Sequence, residues 1–256
     1  MMDDTGKKKF DVTLDEKHVY RVDGKRKKSV SGYLNLIDKS NALVPWASRI
    51  TVEYLAKHTE ELKDCTPEKV KEILRNAKAE AKRVKDEAGA IGTEVHKVVE
   101  HYFKGEITEI QIQERPEAVQ KCYGAFLSWA GEHRLEMLES ETIVYNDLLD
   151  YCGRLDWIGN VDGKLKLIDF KTGNGIYVQS KFQASAYVKA WERTRKWKGQ
   201  EEKSIEGAII LRFGKENGIY ELHEMSRADL IKAFKGFSAL VTLNEQINIA
   251  NRKKRK

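Results

Sequence analysis

The chain has 256 residues, 41% hydrophobic and 34% charged, which is enough to bury one sizeable core with N-terminal decoration. Lys and Arg number 46 against 40 Asp and Glu, a formal +6 that favours polyanionic partners without selecting one. Cys65, Cys122 and Cys152 form no CxxC pair, which excludes a disulfide framework and a four-cysteine metal or iron–sulfur site within the chain, and no run approaches the ~20 apolar residues of a membrane span.

In chain order, Met1 to Lys9 is charged and lacks the apolar centre of an export leader, so a reducing, cytoplasmic location is expected. Residues 18 to 30 read as a hairpin, because alternating Val19-Tyr20-Arg21-Val22 meets Asp23-Gly24 and returns toward Val30, with a short helix from about Ser31. Thr66 is placed to cap a helix that Pro67 opens and that runs to Lys85, with Glu and Lys or Arg alternating on its exposed face. Gly89 and Gly92 are expected to interrupt it. A second helix, about Ile91 to Lys104, then buries Ile91, Val95, Val98 and Tyr102 before Gly105 stops it, and another runs from Pro116 to His133.

The period then changes to that of strands at about Leu135 to Tyr145, Tyr151 to Asn160 and Lys164 to Lys171, a meander whose last turn is Asp162-Gly163. A helix from Val178 to Trp197, a hairpin of Ile205 to Phe213 and Ile219 to Met225, and a final helix opened by the Ser226-x-x-Asp229 capping box complete the chain. The tail Arg252-Lys253-Lys254-Arg255-Lys256 is either a solvated end or a phosphate-seeking arm. There is no internal repeat and no Walker loop, which argues against an NTPase of that type.

The meander carries the chemistry. A regular two-residue turn opposes Val161 with Lys164; stepping back along both strands then brings Asp156 opposite Asp169 and Arg154 opposite Lys171. Two facing carboxylates repel unless a cation lies between them, and two carboxylates plus waters suit Mg²⁺, so the register predicts a metal. Lys171, two residues beyond Asp169, projects on the same face. Hydrolysis of a phosphodiester needs a nucleophilic water, neutralised phosphate charge and support for the leaving oxygen, all of which two acids, a metal and a lysine supply. An exposed polar edge is the plain alternative for one Asp-x-Lys triplet, but Leu165, Leu167, Ile168 and Phe170 mark this strand as buried.

Gly92-Thr93-Glu94-Val95-His96, Gly153-Arg154-Leu155-Asp156, Ile168-Asp169-Phe170-Lys171-Thr172 and Gln183-Ala184-Ser185-Ala186-Tyr187 fall in order on helix, strand, strand and helix. Together they resemble the four successive motifs of the RecB-type branch of the PD-(D/E)XK nuclease superfamily, over about residues 90 to 213. The resemblance implies a mixed α/β fold: a restriction-endonuclease-like αβββαβ core with a central mixed sheet flanked by helices, plus a helical N-terminal region. Three regions are expected: residues 1–88, an N-terminal hairpin and helical region that is part of the same domain and lines a DNA channel; a nuclease core at 89–225; and a C-terminal helix with basic tail at 226–256.

By the same resemblance, Asp156, Asp169, the backbone carbonyl of Phe170 and His96 are metal ligands, and Lys171 orients or activates the attacking water. Mg²⁺ or Mn²⁺ is the implied cofactor, with Mn²⁺ serving at least as well if imidazole ligates; an iron–sulfur cluster is not expected. Gln183 and Tyr187, one helical turn apart, are substrate-binding candidates, or simply cap the sheet. Glu100 and Glu141 read as surface salt-bridge residues or as support behind the ligands. Lys25-Arg26-Lys27-Lys28, with Trp46 or Tyr33 for base stacking, is a candidate channel wall, the plain alternative being that each is an ordinary surface or core residue. The expected activity is that of a metal-dependent deoxyribonuclease, an exonuclease in DNA replication, recombination or end processing. DNA is its substrate, and a recombination or replication protein is the partner class implied. A catalytically silent DNA-binding module of the same fold and a protein–protein adaptor are the rivals.

Overall fold

The structure is a computed structural model that describes residues 9–63 and 65–253. The expectation for Met1 to Lys9 therefore falls almost wholly, and that for the basic tail mostly, outside the described residues. Contacts divide the chain into two compact units: the described parts of Met1–Leu36 and Val95–Lys256 form one, and Ile37–Glu94 the other.

The first unit is built on a mixed sheet. It begins with β1 (Val12–Leu14), β2 (Tyr20–Val22) and β3 (Lys25–Ser29). Asp23 and Gly24 both have positive φ, the conformation that the tight turn between β2 and β3 demands, and Val22 pairs with Lys25 across it. The short helix α1 (Val30–Leu34) follows, capped by the Ser29 hydroxyl. After the second unit come α5 (Glu109–Gln113) and α6 (Glu117–Ala130), then β4 (Leu135–Asn146), β5 (Tyr151–Val161) and β6 (Lys164–Lys171). α7 (Val178–Trp197), β7 (Gly207–Phe213), β8 (Tyr220–Ser226) and α8 (Arg227–Lys253) complete it. The Ser226–Asp229 capping box that opens α8 forms as expected.

The second unit holds α2 (Ser40–Lys57), α3 (Thr59–Lys63) and the first part of α4 (Pro67–Lys104), where Ile73 and Ala77 are buried. Thr66 caps α4 as predicted. The helix does not break at Gly89 and Gly92, however, but is continuous from Pro67 to Lys104. Tyr102 is another departure: it is 38% exposed, and the buried stripe at this end of α4 is Val95, Val98 and Val99.

Strand pairing shows where the sheet opens. β5 is central; β4 runs antiparallel along one side of it, from Leu135 opposite Val161 to Asn146 opposite Tyr151. Its other side is shared. β6 pairs antiparallel with Trp157–Val161, and β3 pairs parallel with Tyr151 and Cys152. Residues 153–156 have no strand on that side, because β6 leaves β5 after Ile168 and continues against β7, which in turn pairs with β8. α6 packs Phe126 against Phe170 and Phe213, and α7 ties to β4 through Thr194, whose hydroxyl accepts from the Tyr145 N–H. No helix among the described residues is long and apolar enough to cross a membrane.

The register predicted from Asp162-Gly163 therefore holds to Trp157 and Ile168 and stops one residue short of the two acids. Asp169 lies opposite Ile210 of β7 and Lys171 opposite Arg212, while Arg154 lies opposite Ile143 of β4. Arg154 and Lys171 thus do not face each other in a ladder. The strands splay because the side chain of Asp156 takes the place of the ladder, its Oδ2 accepting the Phe170 N–H at 2.8 Å.

Candidate metal and active site

Asp156 stands on β5 where the sheet opens, and its two oxygens divide the work of the site. Oδ2 holds Phe170; Oδ1 lies 3.5 Å from Nδ1 of His96. His96 is aimed by burial of its neighbours, since Val95, Val98 and Val99 pin this end of α4 to the core. The third member is Glu141. In the β4–β5 register the position between Ser140–Trp157 and Thr142–Leu155 sets Glu141 against Asp156, and its backbone adopts φ of 47°, the left-handed region that a non-glycine residue enters at a cost. Its Oε1 lies 3.9 Å from Nδ1 of His96, and its Oε2 pairs with Nε of Arg154 at 2.9 Å. His96, Glu141 and Asp156 each present a ligand atom, all within 4.8 Å of one another.

Asp169 lies outside that trio, yet it is the most strained charge in the site. Its side chain is 2% exposed, and neither carboxylate oxygen accepts a hydrogen bond. Nζ of Lys171 lies 2.5 Å from Oδ2, an ion pair without the direction of a hydrogen bond, and donates instead to the Phe170 carbonyl at 3.3 Å. Burial pushes the Asp169 carboxyl above the usual carboxylate range; Lys171 pulls it down and the charge of Asp156 pushes it up again. At His96 burial opposes protonation, but Asp156 and Glu141 outweigh it and the net shift is upward.

α7 supplies the remaining wall. Gln183 donates to the Tyr187 hydroxyl at 3.0 Å, as the one-turn spacing suggested. The ring of Tyr187 lies over Gly153, where an added Cβ would sit 2.5 Å from a ring carbon and 3.3 Å from a methyl of Val30. That contact explains the glycine of Gly153-Arg154-Leu155-Asp156: β5 must lack a side chain for the phenol to lie against it. Burial pushes the Tyr187 hydroxyl far above the phenol range; the Gln183 bond opposes this, and the charges of Asp156 and Asp169 add to it.

The structure adds to the salt-bridge reading of Glu141. Glu141 does pair with Arg154, but it also stands within ligand distance of His96 and Asp156. Glu100, by contrast, pairs with Lys104 one turn away. Tyr33 takes the plain alternative of a core residue: it is 6% exposed, with the Lys28 ammonium over its ring and bonded to Asn244. Lys27 is held by Asp150, which leaves Lys25 and Arg26 as the exposed cations of the basic segment. Trp46 lies in α2 of the other unit, half-buried.

These residues fit a divalent cation. Lys171 already faces the buried Asp169 carboxylate, so the group that calls for a cation is the neighbouring trio, an imidazole and two carboxylates at ligand spacing. An N/O donor set of this kind suits Mg²⁺ or Mn²⁺ rather than a thiophilic metal.

Thirteen solved chains match the structure. Among them, the crystal structure of SSO0001 is similar with 16% identity and a TM-score of 0.31, covering 75% of this chain and 85% of that one. The crystal structure of LHK-Exo in complex with dAMP is similar with 15% identity and a TM-score of 0.28, covering 64% and 85%. Likenesses this distant carry no argument of their own. No curated protein matches the sequence. The family profile is decisive, because it matches residues 53–251 and so takes in the Asp156, Asp169-Phe170-Lys171 and Gln183-to-Tyr187 segments together: the chain belongs to the PD-(D/E)XK nuclease superfamily.

Proposed function

We propose that the protein is a Mg²⁺- or Mn²⁺-dependent deoxyribonuclease of the RecB-type branch, an exonuclease acting on DNA ends in replication, recombination or end processing. The observation that carries the reading is the convergence of His96, Glu141 and Asp156 within 4.8 Å, beside a buried Asp169 paired with Lys171. The branch and the preference for ends rest on the four motifs and their order. A replication or recombination protein is the partner class this role would call for.

His96, Asp156, Asp169 and the Phe170 carbonyl hold the ion in this reading, and Glu141 joins them. The chemistry that a divalent ion supplies in such a site is Lewis-acid stabilisation of the charge that develops on the phosphate, together with a more acidic water. The chain's own residues do the rest. Lys171, tethered through Asp169 and the Phe170 carbonyl, presents its ammonium protons to the attacking water and orients it. Water oxygen bonds to phosphorus and releases one proton to solvent, the bond to the 3′ oxygen breaks, and solvent protonates that oxygen. Arg154 holds Glu141 in place, and the Asp156–Phe170 bond keeps the main chain of β6 against the site. Gln183 and Tyr187 position the substrate strand.

The test is digestion of an end-labelled linear duplex and of a covalently closed circle of the same sequence, with Mn²⁺, with Mg²⁺ and with EDTA. Loss of the linear substrate alone, only with metal, is the expected result. Cutting of the circle contradicts the exonuclease assignment, and failure to cut either contradicts the nuclease reading in favour of a silent DNA-binding module.

A further inference from the structure

The unit Ile37–Glu94 carries a charge pattern that the site above does not use. On α4, Lys71, Arg75, Lys78, Lys82 and Lys85 follow one another at steps of four and three residues, and all five are exposed. Such steps keep to one face of a helix, drifting by only ~40° over two heptads. The opposite face is the buried one, with Ile73 and Ala77.

Ion pairing separates the stripe from its surroundings. On α4, Lys69 pairs with Glu72, and Arg83 takes both Glu80 and Glu87. Within the stripe Lys82 pairs with Asp86, whereas Lys71, Arg75, Lys78 and Lys85 have no ionic partner among the described residues. Four cations without an ionic partner among the described residues thus share one exposed face of the helix.

The next position in the same spacing is Gly89. A Cβ there would meet nothing within 4 Å, so no packing inside the protein calls for a glycine, although glycine weakens a helix interior. An exposed, side-chain-free helical turn at the end of a basic stripe is where another molecule's backbone can come close. Further positions in the same sequence pattern are Gly92 and His96.

We infer that this face of α4 is a binding surface for the phosphate backbone of duplex DNA. From Lys71 to Lys85 the helix rises ~21 Å, a length along which one strand of a duplex presents about six phosphates. The stretch 67–94 contains no aromatic residue, so it lacks the stacking platforms that hold single strands. The contacts it offers are to phosphates, which position a substrate without reading its sequence. The inference rests on DNA being the substrate of the nuclease and names the surface that carries it.

The test measures binding without cleavage. Affinity of the full chain for a labelled 20-base-pair duplex is followed by fluorescence anisotropy in EDTA across a range of KCl. Wild type is compared with a Lys71→Gln, Lys78→Gln, Lys85→Gln variant, with Lys→Arg at the same positions, and with Lys17→Gln, Lys164→Gln, Lys203→Gln as a control. Circular dichroism confirms that each variant keeps its helical content. The stripe variant should bind at least tenfold more weakly at 100 mM KCl and lose roughly 0.9 from its log–log salt slope for each contact removed, while the Arg variant and the control follow wild type. Gly89→Leu, which favours the helix, should also weaken binding. An unchanged slope in the stripe variant, or equal losses in the control, overturns the inference even if the protein cuts DNA. The expected loss of slope upholds it even if cleavage is absent, so the two readings fail separately. Two further results would overturn it: displacement of the duplex by polyglutamate at lower concentration than by unlabelled duplex, which indicates an acidic protein partner, and a slope loss confined to a 20-nucleotide single strand.

Discussion

Asp169→Asn should make the metal-free protein more stable at neutral pH while removing its response to metal. The wild-type carboxylate is buried and, among the described residues, neither oxygen accepts a directed hydrogen bond, while the nearest counter-charge, Lys171, is itself 24% exposed and able to reach water when the pair is lost. An unsatisfied buried polar group costs ~1–3 kcal/mol, and more when charged. For a chain of this size each kcal/mol moves Tm by ~2–4 °C, so the variant should melt roughly 2–12 °C higher in EDTA at pH 7.5. The sign follows from linkage. Burial raises the folded-state pKa of Asp169 above its unfolded value, so the folded protein takes up the proton more readily. That share of stability is complete below the unfolded carboxylate range, about pH 4, and is lost as pH rises through the raised folded value. The advantage of Asn should therefore be small near pH 4.5 and complete by pH 7.5. Mn²⁺ at a hundredfold its dissociation constant should then add about 2.7 kcal/mol to wild type, and little to the variant, reversing the order of the two melting curves. The reasoning fails if the variant is no more stable than wild type in EDTA at pH 7.5, or if Mn²⁺ raises both equally.

Lys171→Ala should lower the cleavage rate by ~10²-fold or more, the scale seen when one charge-stabilising donor is removed. Its affinity for duplex DNA in EDTA should stay within a few-fold of wild type, and undiminished single-turnover cleavage would show that the reactive group lies elsewhere. His96→Ala should reduce the ratio of the Mn²⁺-supported rate to the Mg²⁺-supported rate, because it removes the softer ligand; an unchanged ratio in a metal titration would take His96 out of the coordination sphere. Gly153→Ala forces a Cβ to within 2.5 Å of the Tyr187 ring. The overpacking should cost ~1–3 kcal/mol in calorimetry, and a Tyr187→Ala change should relieve most of that cost.

The parts of this architecture written in local pattern were legible. The meander, the α7 boundaries and the β5–β6 register all follow from alternation, a helical run and the two-residue turn at Asp162-Gly163, and α7 matches its expected limits of Val178 and Trp197. Glu141 was not legible, for two physical reasons. A two-residue turn fixes register, but β4 and β5 are joined by residues 147–150, and β4 also slips by one residue between Met137 and Glu139. Neither the slip nor the left-handed backbone at Glu141 has a signature in the residues themselves. α2 is not legible as one element because Pro45 lies inside it, where a proline ordinarily ends a helix. The continuity of α4 through its glycines reflects energetics: a helix glycine costs ~1 kcal/mol relative to alanine, which tertiary packing at Val95, Val98 and Val99 offsets. The departure of β6 from β5 is a tertiary event, since it depends on β3 and β7 arriving from distant parts of the chain.

That His96, Glu141, Asp156, Asp169 and the Phe170 carbonyl hold one divalent ion beside Lys171 is the proposal on which the reaction depends. Diffraction from a manganese-soaked crystal, collected where Mn scatters anomalously, tests it most directly. One anomalous peak is expected at ligand distance from Nδ1 or Nε2 of His96 and a carboxylate oxygen of Asp156, and it should disappear in Asp156→Asn. A map with no peak there, in crystals whose DNA cleavage with Mn²⁺ is intact, would contradict it.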